Sequence, residues 1–133
     1  MKVGKPAAKK SDQVVGIDTH VIMIPSPGGP VPTPMPMPFS GQLSGSLSAD
    51  VKIADKAAAV KGSTADNSPT HIPAGGPFQA PPANRATIQT GSTSVYINDK
   101  PAAHLGDTAM TCNDPADAPN GKVIGSGTVF IGD

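Results

Sequence analysis

Along Val95-Tyr96-Ile97-Asn98-Asp99-Lys100-Pro101-Ala102-Ala103, apolar and polar side chains first alternate and then give way to turn residues. Val95 and Ile97 point one way and Tyr96 the other, a period of two that predicts a short, half-buried strand. Asn98-Asp99 has turn chemistry, and Pro101 sets the backbone as the chain leaves the strand. The stretch ends on His104 and the pair Gly106-Asp107. It recurs without a gap from Val51. Val51 falls on Val95, Ile53 on Ile97, Asp55-Lys56 on Asp99-Lys100, Ala58-Ala59 on Ala102-Ala103 and Gly62 on Gly106. A third copy starts at Gly125 and runs through Val129, Phe130 and Ile131 to Gly132-Asp133. It stops where Lys-Pro-Ala-Ala should follow, and that piece stands at the other end of the chain as Lys5-Pro6-Ala7-Ala8.

The pattern therefore predicts an all-β domain over residues 1–133, built from three copies of one unit and cut open inside the third. The units span roughly 5–53, 56–97 and 100–131, and closing the circle brings the two termini together. Units of this kind bury their apolar faces only against one another. Between the copies lie long segments rich in proline and glycine. Residues 25–38 carry alternate prolines, which remove backbone donors and hold the chain extended. They are expected to form a rigid extended loop, neither helix nor interior strand, with a PxxP-type ligand as the alternative. Residues 40–50 read as a loop or weak strand.

Composition sharpens this picture. Only 37% of the residues are hydrophobic and 3% aromatic, with no tryptophan, while the 133 residues include 15 glycines and 16 prolines. Such a chain needs repeat-like backbone pairing or a staple such as a metal to hold a fold. Formal net charge is zero, and the lysines are scattered apart from Lys9-Lys10, so there is no basic stripe of the kind nucleic acid demands. No run approaches the roughly 18 apolar residues of a spanning helix. Met1 to Asp12 has lysines without an apolar stretch after them, so no secretory signal peptide is expected. Cys112 is the single cysteine and has no intramolecular disulfide partner.

The chemistry-bearing residues follow the repeat. Ala8 precedes His20 by the same spacing as Ala59 precedes His71, and Cys112 follows Ala103 at a shorter one. Each of the three has a threonine before it. Three matching places around a pseudo-threefold axis converge if they face that axis. His104, whose counterparts are Lys9 and Val60, supplies a fourth group. His20, His71, His104 and Cys112 make a tetrahedral zinc set, with iron as the alternative, and four protein ligands leave no open position for substrate. The expected site is thus structural, one metal per chain, adding folding free energy to a small core. The alternative is a metal- or cysteine-dependent hydrolase using Cys112 and the histidines. Such an enzyme needs a nucleophile motif, and Thr111-Cys112-Asn113-Asp114-Pro115 reads instead as a turn.

The Lys-Pro-Ala-Ala steps, the Val-x-Ile strands before them and the Thr-His and Thr-Cys elements resemble the PAAR-repeat proteins. No copy has arginine after Ala-Ala, and the middle step begins with Ala57 in place of proline. The resemblance implies a small, pointed pseudo-threefold β-cone with a metal near its tip. It also implies a partner, the blunt end of a homotrimeric VgrG-type spike of a type VI secretion or contractile injection apparatus. The tip would be assembled in the bacterial cytoplasm and ejected with the spike, touching membrane only during puncture. Effector cargo is a further partner of such proteins, although here the repeats are expected to leave no room for a fused effector. The strands expected at the docking base are Val51 and Ile53, Val95 and Ile97, and Val129 and Ile131, for which strand addition is a plausible mode. No catalysis is expected.

Overall fold

The structure, a computed structural model, describes residues 4–132. Asp133, which closes the third copy, and the first three residues of the amino-terminal stretch lie outside the described residues. The described residues contain strands and turns and no helix. In chain order the strands are β1 (Lys5–Pro6), β2 (Gln13–Ile24), β3 (Val31–Gly45), β4 (Lys52–Ile53), β5 (Lys56–Ala57) and β6 (Thr64–Asn67). They continue as β7 (Arg85–Ile88), β8 (Tyr96–Ile97), β9 (Lys100–Pro101), β10 (Thr108–Thr111), β11 (Ala118–Ile124) and β12 (Phe130–Ile131).

Six short strands make the base, as three two-stranded ribbons. β4 pairs with β5 and β8 with β9 across tight turns, in which Ala54, Asp55, Asn98 and Asp99 all have positive φ. Two consecutive left-handed residues match the right-handed twist of the strands they join. The third ribbon pairs β1 with β12, Lys5 opposite Ile131, so the two ends of the chain meet where the other ribbons have their turns. Gly4, with φ of 78°, takes up the left-handed backbone that Asp55 and Asp99 adopt in the intact turns.

The Ala-Ala steps meet on the pseudo-threefold axis. Ala8 N–H donates to the Ala103 carbonyl, Ala103 N–H to Ala59 and Ala59 N–H to Ala8, a closed ring of bonds of 2.9–3.0 Å. A second ring runs from Lys10 to Ala57, Lys61 to Pro101 and Leu105 to Pro6. Ala7, Ala8, Ala58, Ala59, Ala102 and Ala103 are all buried. Three backbones that bond each other this closely leave space only for methyl groups, which is why alanine repeats at these positions. Ile97 and Ile131 are buried beneath the ring with Ile53 packed against them.

Each step then leads through a four-residue turn into the barrel. The Lys9, Val60 and His104 N–H groups are accepted by the side chains of Asp12, Ser63 and Asp107, three residues on in each case. Beyond the turns, β2–β3, β6–β7 and β10–β11 close into a six-stranded antiparallel barrel in the order β10-β11-β2-β3-β6-β7. Val14, Phe39, Leu43, Ala65, Ala86, Ile88, Ala109 and Val123 fill its interior.

The first hairpin is the longest, and it corrects the expectation for residues 25–38. Val31 to Pro38 are strand, paired antiparallel with β2 from Ile24 to Ile17, and Ser40 to Gly45 continue the same strand. Prolines fit because all four share one parity. Pro32, Pro34 and Pro36 stand opposite Met23, Val21 and Thr19, whose own N–H groups turn away from β3 to Pro77, Asp114 and Asn113. The proline nitrogens therefore lie on the outer edge, where no ladder bond is lost. β6 joins that edge only from Gly41 onward.

Candidate metal centre

Alternation along β2 builds half of the site. Val14, Asp18, His20 and Ile22 are all buried, while Ile17 on the opposite face is exposed. Asp18 and His20 thus stand side by side on the inward face of the long hairpin. Cys112 directly follows β10, whose last residue, Thr111, is also buried. His71 comes from the segment between β6 and β7. Its N–H donates to Asn84 Oδ1 at 2.9 Å, and Asn67 Nδ2 faces its Nδ1 at 3.3 Å. Asn67 is itself held by the Ser40 N–H, which donates to its Oδ1 at 2.9 Å.

These elements bring Asp18, His20, His71 and Cys112 together, with one donor atom from each lying within 4.8 Å of all the others. His71 Nε2 is 2.8 Å from Asp18 Oδ2, and the Cys112 thiol donates to the same oxygen at 3.3 Å. The His20 and His71 rings are 5.0 Å apart between centroids, and Phe78 closes on His20 edge-on at 5.9 Å. Asp18 and His20 are 0% and 1% exposed. Asp114, which accepts the Val21 N–H, places its Oδ2 3.5 Å from His20 Nδ1, too far for a good hydrogen bond.

Three buried polar atoms in this group have no hydrogen-bond partner: Asp18 Oδ1 and both ring nitrogens of His20. Orphaned buried polar atoms are costly, and an ion held among the four clustered donors would satisfy part of this need. Burial first and the Asp18 carboxylate second push the Cys112 thiol from 9.0 up to about 11, so without a cation it stays protonated. A bound divalent ion reverses that preference, since a coordinating thiol is deprotonated. Carboxylate, two imidazoles and a thiol together are a donor set suited to a transition-metal ion. The residues present fit a metal.

His104 does not join them. It is buried at the junction of base and barrel, paired with Ala7 in the ring region, and its Nδ1 lies 3.0 Å from Asp107 Oδ1. Asp107, whose pKa is raised chiefly by burial, accepts the His104 N–H through its other oxygen at 2.6 Å. The reason is position along the strand. Asp18 lies six residues beyond the equivalent turn aspartate, Asp12, about 20 Å of extended chain. Asp18 is the residue that spacing between repeats misses, because neither other copy has a counterpart. Its signal in the sequence is its place two residues before His20, on the same face of one strand.

At the base, Val51, Val95 and Val129 are 36%, 37% and 44% exposed, and Tyr96 and Phe130 beside them are exposed too. Ile97 and Ile131 turn inward, and Ile53 is half-buried. The valines occupy equivalent places, since their carbonyls accept the N–H groups of Ala58, Ala102 and Ala7. Among the described residues no helix is long and apolar enough to cross a membrane.

No curated protein and no solved structure gives a significant match to the chain. Residues 79–133, which carry the third Lys-Pro-Ala-Ala step, His104 and Cys112, match the family model described as PAAR motif, which supports the likeness to PAAR-repeat proteins.

Proposed function

We propose that this chain is a structural, metal-stapled tip that caps a homotrimeric VgrG-type spike of a type VI secretion or related contractile injection apparatus, sharpening it for membrane puncture. The PAAR motif is consistent with a spike-tip role and implies a spike-like partner in general. The observation that carries the reading is the threefold base. One chain presents three equivalent ribbons around a ring of backbone hydrogen bonds, each with an exposed valine at the same place. A surface with that symmetry meets three identical subunits in the same way, which a lone monomeric partner cannot do. Val51, Val95 and Val129 are the contacts, with Tyr96 and Phe130 at their side and Ile53, Ile97 and Ile131 supporting them from within.

The metal, for which zinc is the proposed ion at one per chain, ties β2, the end of β10 and the loop carrying His71 into one unit. When bound it supplies tetrahedral cross-linking with no redox chemistry. Such a staple suits a protein with so few aromatic residues and suits a tip that must withstand force. A cysteine hydrolase needs an exposed, readily ionised thiol. Cys112 is 3% exposed and its pKa is raised to about 11, the reverse of that requirement. The tip leaves the cell with the spike.

Binding is tested by mixing the purified chain with a trimeric VgrG-type spike protein and measuring mass by light scattering. One chain per trimer is expected, lost in a Val51→Asp, Val95→Asp, Val129→Asp triple variant whose melting temperature is unchanged. Binding that survives the triple variant refutes the base as the docking surface. Element analysis tests the staple: about one metal per chain, lost in Cys112→Ser together with thermal stability.

A further inference from the structure

We infer that Asp18, and not His104, is the fourth metal ligand, which makes the centre a carboxylate, two-histidine, one-cysteine site. The inference deepens the proposed metal staple and rests on it.

Two features single out Asp18. It is 0% exposed, yet its Oδ1 has no hydrogen-bond partner, which is a poor state for a carboxylate unless a cation is close. Its Oδ2 gathers the groups of two other elements, His71 Nε2 at 2.8 Å and the Cys112 thiol at 3.3 Å. With zinc bonds of about 2.0–2.3 Å, the donor atoms of a tetrahedral site stand roughly 3.3–3.7 Å apart. The Asp18–Cys112 separation already matches that spacing. The Asp18–His71 separation is shorter because a single hydrogen bridges the pair, and an ion in its place widens it. The His104 ring nitrogens also lack a hydrogen-bond partner, but His104 stands outside the cluster, with its N–H donating to Asp107 and its Nδ1 3.0 Å from Asp107 Oδ1.

Charge argues the same way. A thiolate and a carboxylate carry two negative charges, which a divalent ion balances to zero in a site sealed from water. Buried charge is tolerated only when balanced in this manner. The mixed oxygen, nitrogen and sulfur donors fit a borderline divalent ion such as zinc, iron(II) or cobalt(II). They do not fit calcium or magnesium, which take all-oxygen shells.

The test is X-ray absorption at the zinc edge on the wild-type chain loaded with zinc, which needs no variant to fold. Two imidazoles, one sulfur and one oxygen are expected, and three imidazoles with one sulfur would overturn the assignment. In parallel, His104→Ala is expected to keep one metal per chain, while Asp18→Asn weakens metal affinity by 100-fold or more against a competing chelator. The opposite ranking sinks Asp18 and leaves the staple standing. A wild-type chain that takes up no zinc refutes the staple and Asp18 together.

Discussion

Ala8, Ala59 and Ala103 show how one methyl group can be dictated by three chains at once. Each donates and accepts a hydrogen bond within a closed ring, and each is at most 1% exposed. Added methyls have nowhere to go, so Ala103→Val is expected to cost about 1–3 kcal/mol in urea unfolding. A loss of only a few tenths would mean that the ring opens easily. Cys112 offers a pH prediction at the same scale. Its folded pKa of about 11 lies above the ordinary thiol value of 9.0, so the thiol's contribution to stability is complete below pH 9 and is lost as pH rises towards 11. The melting temperature of the metal-free chain should fall across that window, and Cys112→Ser should lack this component of the fall.

At the scale of elements, the β2–β3 hairpin extends past the barrel, and its prolines govern how its free edge behaves. An exposed edge of unpaired N–H and C=O groups recruits further strands. Pro32, Pro34 and Pro36 remove the donors from that edge while Thr33, Met35 and Met37 keep the pairing with β2. Replacing the three prolines by threonine should leave melting nearly unchanged and raise self-association, read by light scattering at rising protein concentration. A triple variant that stays monomeric would show that the edge is protected by something else. Alternate proline was legible in the sequence as extended chain. That it belongs to a strand was not, because proline forbids pairing on one edge only, and which edge is free depends on a partner far along the chain.

For the whole molecule, the pairing of Lys5 with Ile131 makes the chain a circle with one break. The break can then be moved. A permutant that joins Gly132 to Gly4 through a two-residue turn and opens the chain between Asn98 and Asp99 is expected to fold and melt within a few degrees of the parent. Failure to fold would show that the three ribbons, alike in backbone, are not alike in stability. The threefold likeness holds through the base and turns and fades in the barrel. The first hairpin pairs over twelve residues of β2, whereas β6 and β10 have four each.

The base was the part most open to reading from sequence, because its determinants are local. Alternating valine and isoleucine, a two-residue turn and an Ala-Ala step recur at matching intervals, and the split copy at Lys5 and Val129 points to closure. The same logic singled out His20, His71 and Cys112, which the fold brings into one cluster. It carried His104 along too, since a histidine directly after the third Ala-Ala looks like one more donor in a chain with few. Only the tertiary structure shows that Asp18, and not His104, stands in the cluster with them. Repeat spacing reports which residues are equivalent about the axis, but not how far along it each one sits. His104 is a turn residue at the foot of the barrel, and Asp18 stands on the inward face of a strand that one copy alone extends far enough to reach His71 and Cys112.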